Sequence, residues 1–292
     1  MTRKTYDIPV VLTSFAYNKE YFAEMDGMIE GIREHHPDWT IVVGRGPVSE
    51  LGEGSLEVEW PGGKTNWVLP VSLNIGEDRE KNWSRICLMK AWWIAQVWHN
   101  LGELAQPGIR RVLWLDADAR LGGPIDIELE PDDEVLAGPW HYDSKNPEYD
   151  GIRCGIVLFQ GRKSGKVETI LDAWSDECLR QIEDLPISNL PWLYGDGEVL
   201  RELLRHEPGG PGSYTMLRLE HNRYCGHLTK YGAARPGTLV IHWLMSANFW
   251  RSEQDEDGHL PWPPPEDYRR RIAAESGFPA QIEHGDGVTK PQ

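Results

Sequence analysis

Short apolar runs alternate with amphipathic segments in the first part of the chain. "IPVVLTSF" at 8–15 is an apolar run bounded by polar residues, which is typical of a buried strand. "YFAEMDGMIEGIREHH" at 21–36 repeats apolar residues every three or four positions, as an amphipathic helix does. "WTIVVG" at 39–44 then has the composition of a second strand. The chain is therefore predicted to open with a β-α-β unit.

The same two patterns predict most of the later elements. Three further amphipathic or apolar segments are predicted to be helices, at 83–105, 164–182 and 195–206. Four further apolar runs are predicted to be strands, at 111–115, 133–140, 154–161 and 238–244. The Gly-, Pro- and Asn-rich stretch at 51–80 is predicted to form loops around "LEVEW". Asp196 is expected to be the N-cap of the helix at 195–206.

Alternation of strands and helices predicts the fold class. We expect an α/β fold with a mixed, mostly parallel central sheet flanked by helices, in a single globular domain. After Trp250 the sequence becomes polar and Pro-rich, so 251–292 is predicted to be a surface tail. Ligands of such sheets bind beyond the carboxyl ends of the parallel strands, so a site is expected there.

Charge and cysteine content narrow the classes of partner. The net charge of −16 makes an extended nucleic-acid footprint or an anionic membrane a poor default partner. No apolar run is long enough for a signal peptide or a spanning helix, so we expect a soluble, cytoplasmic protein. The widely spaced cysteines are expected to be reduced core thiols: Cys87, Cys154, Cys178 and Cys225.

The segment "RVLWLDADARLGG" at 111–123 carries the clearest chemical signal, because an apolar strand ends on two carboxylates, Asp116 and Asp118. If the segment stays extended, both side chains point the same way. Two hard oxygen donors suit Mg²⁺ or Mn²⁺ carrying a substrate diphosphate. The alternative is that the two aspartates only begin a turn, as aspartates after strands often do.

The layout resembles the nucleotide-diphospho-sugar transferases of the GT-A fold, most closely the group of glycogenin and the bacterial lipopolysaccharide galactosyltransferases. A helix carrying Arg or Lys precedes an apolar strand and the D-x-D in "RICLMKAWW" and "RVLWLDADARLGGPIDIEL". Later features that match are Gly155 on a strand, Trp174 on a helix, Asp196 at a helix start, and "VIHWLMSANFW" with His242. Asn248 stands where the group has Lys, and Gly197 where it has Gln.

The resemblance implies a function and a division of the chain. It implies a glycosyltransferase that moves a sugar from a nucleoside-diphosphate donor, with uridine the common base, to an acceptor. The implied halves are 1–125 for the nucleotide sugar, ending in the D-x-D, and 126–250 for the acceptor. The implied ligands of Mn²⁺ or Mg²⁺ are Asp116, Asp118 and His242.

Further residues are expected to bind the donor. Thr13 and Ser14, near the end of the first strand, are expected to bond the base or ribose. Tyr17 is a candidate for stacking on the base, with packing at a helix entry as the alternative. The resemblance implies that Gly155 also binds the donor. Since Asn248 replaces the basic residue, the cations expected to neutralise the diphosphate are Arg85, Lys90, Arg153 and Arg251.

Two acidic residues are expected near the reacting carbon, and the acceptor stays open. Asp196 is the first candidate for orienting sugar hydroxyls or stabilising positive charge, and Glu198 is the second. Trp140 and Trp192 are candidates for an acceptor groove, because aromatic faces stack on sugar rings. The acceptor could be a glycan, a protein or a small molecule, and a nucleic acid is disfavoured by the charge.

Two other classes of function also fit paired aspartates. One is a module that binds a nucleotide sugar and metal without turnover. The other is a metal-dependent nucleotidyl or phosphoryl transferase. "GRGPVSELG" lacks the glycine spacing of a phosphate-binding loop and is read as a turn, which disfavours the second.

Overall fold

The computed structural model describes ten parts of the chain. These are 10–17, 19–47, 54–71, 79–102, 109–130, 133–142, 150–184, 195–206, 214–227 and 237–242. The predicted tail at 251–292, together with Trp192, Asn248 and Arg251, lies outside them.

Within these parts the chain forms twelve strands and five helices. The strands are β1 (Val11–Ala16), β2 (Thr40–Arg45), β3 (Ser55–Trp60), β4 (Gly63–Val68), β5 (Arg110–Leu115), β6 (Ala119–Leu121), β7 (Val135–His141), β8 (Gly151–Ile152), β9 (Ile156–Gly161), β10 (Thr215–Glu220), β11 (Gly226–His227) and β12 (Val240–His242). The helices are α1 (Lys19–His35), α2 (Arg79–His99), α3 (Lys166–Asp184), α4 (Asp196–His206) and α5 (His221–Tyr224). None of the described helices is long and apolar enough to cross a membrane.

A nine-stranded sheet organises the molecule, in the order β10-β7-β9-β5-β1-β2-β3-β4 with β8 paired to β7. The predicted α/β fold with a mixed central sheet and flanking helices is confirmed. Its pairing is less parallel than expected: in the described chain β1-β2, β1-β5 and β7-β10 are parallel, while five other pairings are antiparallel. The carboxyl ends of β1, β2, β5, β7 and β10 nevertheless all lie at one edge.

Side chains alternate between two cores, one on each face of the sheet. The first core packs α2, α3 and α4 against residues such as Val112, Trp114 and Phe159. The second packs α1 against the neighbours of those residues, including Leu113 and Leu115. Because β5 contributes to both cores, it is buried on both faces, which explains its nearly continuous apolar sequence.

Helix α2 is apolar around most of its surface because it lies between the sheet and α3. Trp93 is fully buried, and its Nε1 donates a 2.7 Å hydrogen bond to Thr13 Oγ1 in β1. On the other side, Trp98 Nε1 donates a 2.7 Å bond to Glu168 Oε2 in α3. Both indoles therefore satisfy their N–H groups while holding α2 between two layers. The helix ends at His99, earlier than the predicted 105.

The structure differs from the sequence expectation at 51–80. Instead of loops alone, "SLEVEW" and "GKTNWV" form the hairpin β3-β4, which extends the large sheet to its edge. The side chains of β4 are largely exposed, so its sequence has no apolar alternation to reveal it. Strand β10, at the opposite edge, was also not expected, since its inward side chains are only partly buried.

A second, three-stranded sheet in the order β11-β12-β6 lies beside the D-x-D segment. Strand β6 follows β5 after a short turn and pairs antiparallel with β12, so that Ala119 faces His242 and Leu121 faces Val240. The late strand predicted at 238–244 thus exists as β12, in a small sheet of its own. It brings the last described residues back to the middle of the chain.

A buried ion pair joins β6 to α1. Arg120 and Glu24 are only 6% and 3% exposed, and Arg120 Nη2 is hydrogen bonded to Glu24 Oε2. Arg120 Nη1 also donates 2.9 Å bonds to the carbonyls of Glu24 and Ala119. A Cβ added at Gly27 would lie 2.9 Å from Arg120 Nη2, so this glycine makes room for the guanidinium. The pair fixes the strand that leaves the D-x-D turn.

Removing one partner of this pair should destabilise the fold strongly. Arg120→Met leaves the Glu24 carboxylate buried without its cation, so we expect the free energy of unfolding to fall by about 3–5 kcal/mol. The double variant Glu24→Leu with Arg120→Met removes both charges and should recover much of that loss. Urea denaturation measures both values.

The matched control is Arg180→Ala, which removes an exposed ion pair to Glu177 one turn away on α3. It should change the free energy of unfolding by less than about 1 kcal/mol. A loss in Arg120→Met no larger than in this control would show that the pair does not hold β6 in place.

Candidate functional site

The D-x-D segment is a tight turn between β5 and β6. Ala119 N donates a 2.9 Å hydrogen bond to the carbonyl of Asp116, which closes the turn. Asp116 N donates an equally long bond to the carbonyl of Gly155, at the start of β9. The segment is therefore not extended, and the expectation that alternation aligns Asp116 and Asp118 does not apply. Both side chains are partly exposed at the carboxyl edge of the large sheet.

Lys90 of α2 lies at the centre of the site. Its Nζ is 2.9 Å from Asp116 Oδ1 and 3.1 Å from Asp196 Oδ2, and it donates a 3.1 Å hydrogen bond to the carbonyl of Cys154. The ammonium also lies 5.3 Å from the ring centroid of Trp114. Trp114 Nε1 in turn donates a 2.8 Å bond to Asp116 Oδ1. One cation thus joins β5, α2, α4 and the turn before β9.

Burial and charge set the protonation states of this cluster. Burial lowers the pKa of Lys90, but the nearby carboxylates of Asp116 and Asp196 outweigh it and hold that pKa well above its ordinary value. Burial raises the pKa of Asp196 to about 6, although the Lys90 ammonium opposes the shift. Burial likewise raises the pKa of the Cys87 and Cys154 thiols, so they stay protonated. At neutral pH the cluster is a cation between two carboxylates.

Asp196 is the first residue of α4, and Gly195 occupies the N-cap position that was expected for Asp196. The carbonyl of Gly195 accepts a 3.4 Å bond from Val199 N, and Gly195 N donates a 2.9 Å bond to Glu198 Oε2. Glu198 therefore caps the helix from its third position. Trp174 Nε1 of α3 donates a 2.8 Å bond to the Asp196 carbonyl. These contacts fix the backbone of Asp196 beside Lys90.

The Asp196 carboxylate is more buried than that of Asp116. Its side chain is 9% exposed, against 31% for Asp116. Oδ2 is buried, and in the described part of the chain no group lies at hydrogen-bonding geometry to it, although Lys90 Nζ is 3.1 Å away. The 3.1 Å contact to Lys90 Nζ is the ion pair that compensates this buried charge.

Thr13 and Ser14, which were expected to bond the base or ribose, do not reach the surface of the structure. Strand β1 continues to Ala16, so both residues lie inside the strand and are fully buried. Thr13 Oγ1 donates a 2.9 Å bond to the carbonyl of Val42 and accepts one from Trp93. Tyr17 is 2% exposed and packs in the first core, which agrees with the packing alternative and leaves no face for a base.

The remaining donor candidates divide into those at the cluster and those beside it. Gly155 is at the cluster through its carbonyl, and Lys90 is its centre. Arg153 lies two residues before Gly155, is partly exposed, and donates its backbone N–H to the carbonyl of Pro139 at 2.8 Å. Arg85 is on α2, five residues before Lys90, and its Nε is buried without a hydrogen-bond acceptor among the described residues.

Asp116 and Asp118 were expected to hold a divalent cation together with His242. In the described part of the chain, no three His, Cys, Asp or Glu side chains converge on a point that could hold a metal ion. The two carboxylates of the turn are hard donors of the kind that Mn²⁺ and Mg²⁺ prefer. The side chain of His242 is not described, but its Cα pairs with that of Ala119, directly after Asp118. The residue types of the turn therefore suit a divalent cation, but the described residues do not form a complete ligand set for one.

Several residues of the site were not expected from the sequence. Trp114 lies two positions before Asp116, and strand alternation could have indicated that its indole reaches that carboxylate. The Cys154 carbonyl and the capping role of Glu198 had no local signal, because both depend on where α2 and α4 pack. Lys90 was one of four cations considered, and the structure assigns it to internal ion pairs.

Comparisons with known proteins give little further information. No protein-family model matches the chain, and no curated protein sequence matches it. Among solved structures, the chain is similar to a glycosyltransferase involved in the glycosylation of the major capsid of PBCV-1, with a TM-score of 0.44 and 13% identity. The match covers 82% of this chain and 96% of that one. A likeness at this level carries no argument about activity.

The raised pKa of Asp196 should appear in the pH dependence of stability. Between its ordinary value of 3.8 and about 6, the folded state binds more protons at this site than the unfolded state. The contribution of Asp196 to the free energy of unfolding should therefore fall as the pH rises through this range, by roughly 2–3 kcal/mol.

The measurement compares urea denaturation of the wild type and Asp196→Asn from pH 4 to pH 7. The wild type should lose stability relative to the variant as the pH rises. A constant difference between the two proteins across this range would contradict the assigned shift.

Proposed function

We propose that this protein is a metal-dependent glycosyltransferase that transfers a sugar from a UDP-sugar to an acceptor. The observation that supports this most is the Asp116–Lys90–Asp196 cluster, which lies at the carboxyl edge of the sheet directly beside the D-x-D turn. This edge is where α/β sheets bind ligands. The four cysteines are free thiols, which agrees with a cytoplasmic enzyme.

The chemistry of the donor requires positive charge at this edge. Breaking the bond between a sugar and a nucleoside diphosphate leaves negative charge on the departing phosphate, which must be stabilised. Asp116 and Asp118 would hold the divalent cation, with His242 beside them, and that cation would supply Lewis-acid stabilisation of the diphosphate. Lys90 orients the Asp116 carboxylate through the 2.9 Å contact between its Nζ and Asp116 Oδ1. Partly exposed Arg153 is the nearest candidate for a further phosphate contact.

Asp196 is proposed to act on the sugar. Its carboxylate is buried, fixed by α4 and ionised at neutral pH, so its negative potential is directed into a site of low dielectric. Such a charge stabilises the positive charge that develops at the anomeric carbon when the donor bond lengthens. Glu198 caps α4 by accepting a hydrogen bond from Gly195 N. It is therefore proposed to position Asp196 and not to act on the sugar itself.

A binding module without turnover is the second candidate. The observation in its favour is that the positive charge of Lys90 already compensates the carboxylates of Asp116 and Asp196. The charges of the cluster are therefore paired without a reacting group. Such a protein would bind a nucleotide sugar with metal and release it unchanged. The two candidates differ in one measurable quantity, the release of nucleoside diphosphate.

The first test measures nucleoside diphosphate release from a panel of UDP- and GDP-sugars, with Mn²⁺, with Mg²⁺ and with EDTA. We expect metal-dependent hydrolysis of one UDP-sugar, and a fall of about 100-fold or more in Asp118→Ala, because the metal loses one of its carboxylates. The matched control is Asp176→Ala, which removes an exposed aspartate from α3 and should not change the rate.

The outcomes separate the proposals. A thermal shift by a UDP-sugar and Mn²⁺ without diphosphate release, even with an acceptor library present, would favour the binding module. Release that is equal in Asp118→Ala and Asp176→Ala would remove the D-x-D turn from the site.

The second test is the pH profile of kcat/KM for the active donor. Because Asp196 must be ionised to act as proposed, activity should fall as the pH drops below about 6. Asp196→Asn should lower kcat strongly and abolish this acid limb, whereas Glu198→Gln should retain it. An acid limb that survives in Asp196→Asn would assign the titration to another group.

A further inference from the structure

An aromatic side chain that does not belong to the ion cluster is exposed at the carboxyl edge of the sheet. Tyr142, directly after β7, is 64% exposed. Among the described residues, Val68 is the one other large apolar side chain that is exposed. It lies in β4, the outermost strand on the side of the sheet away from β7. A single exposed ring is common on protein surfaces, so its significance depends on the side chains around it.

Tyr142 is held in place by a cation and a second ring. The guanidinium of Arg218 stacks 4.1 Å from the ring centroid of Trp140, and Arg218 Nη1 donates a 3.1 Å hydrogen bond to Tyr142 Oη. The two rings lie 6.4 Å apart, tilted by 52°. Arg218 is itself exposed, on neighbouring strand β10. The three side chains form a surface that we name the aromatic platform: Trp140, Tyr142 and Arg218.

The aromatic platform faces the same side of the sheet as the ion cluster. Trp140 packs against the first core, which also contains Trp114 and α2. Strand β9 alone separates β7 from β5 in the sheet, so these two strands lie about 10 Å apart at the usual strand spacing. Trp140 also pairs with Ile152, two residues before the carbonyl that binds Lys90. The platform thus borders the site where the donor sugar is proposed to react.

The guanidinium of Arg218 has N–H donors that its hydrogen bond to Tyr142 does not use. A guanidinium carries five N–H donors, and the hydrogen bond to Tyr142 uses one of them. Rigid aromatic faces with a few fixed donors are the usual lining of a pocket for small polar molecules. They match a sugar ring, which has an apolar C–H face and hydroxyls at its rim.

We propose that the aromatic platform binds one sugar ring of a glycan acceptor. Tyr142 stacks on the C–H face of that ring, and Arg218 donates hydrogen bonds to its hydroxyls. This inference rests on the proposed function, because it makes the platform the acceptor side of the same site. It names a glycan, and not a protein surface, as the acceptor class.

The test measures glycan binding directly, without donor, so that it does not depend on turnover. Saturation-transfer NMR is recorded with maltotriose, lactose, mannotriose and N-acetylated chitotriose on the full-length wild type. We expect one of these to bind, Tyr142→Ala to weaken its binding about tenfold or more, and Arg218→Met to weaken it as well. Tyr142→Phe keeps the stacking face and should bind better than Tyr142→Ala.

The matched control is Val68→Ala, which removes the other exposed apolar side chain and should leave glycan binding unchanged. Thermal denaturation checks that each variant is folded. Binding by none of the four saccharides, or equal binding by Tyr142→Ala and Val68→Ala, would overturn the platform. If saccharide binding is lost in Tyr142→Ala while the wild type releases no diphosphate from any donor, the platform stands and the proposed transferase activity fails.

Discussion

A single buried ammonium determines how the site is assembled. Lys90 brings the carboxylates of Asp116 and Asp196, together with the Cys154 carbonyl, to one point. Without that cation, two carboxylates would face each other in a poorly solvated space, at a cost of several kcal/mol. The ion pairs therefore require α2, β5 and α4 to be in their native positions at the same time. The tightly packed indoles of α2 and α3 make this arrangement rigid.

That requirement links the core to the chemistry. Trp93 joins α2 to β1, Trp98 joins α2 to α3, and Trp174 joins α3 to the first residue of α4. Each indole buries a large apolar surface while its N–H reaches an acceptor in the next layer. The position of Asp196 is thus set by a chain of packed side chains that starts at the centre of the sheet. These three tryptophans therefore stabilise the fold by joining its layers.

The sequence predicts the fold better than the site, and the reason is physical. Strands such as β5 and β9, and amphipathic helices such as α1 and α3, depend on local apolar spacing, which can be read directly. The full burial of Thr13 and Ser14 was not predicted, because an apolar run shows where β1 lies but not how completely α1 and α2 cover its two faces. The hairpin β3-β4 was missed because an exposed edge strand has no reason to alternate.

The site could be found only in part, since its contacts join residues far apart in the chain. Asp116 and Asp118 were visible because two charges follow a buried strand. That Lys90, and not Arg85 or Arg153, reaches Asp116 depends on how α2 turns against the sheet. The capping contact of Glu198 depends likewise on where α4 begins. No pattern within a short window contains that information.

The pairing of β6 with β12 has a consequence for the order of events during synthesis. The D-x-D turn leads into β6, whose antiparallel partner contains His242, close to the end of the described chain. A growing chain can pair β1, β2 and β5 early. Strand β12, which supports β6 after the turn, is made only after more than a hundred further residues. Contacts over such separations form late in folding. The nascent protein should therefore acquire its core well before β12 is in place to support the D-x-D turn.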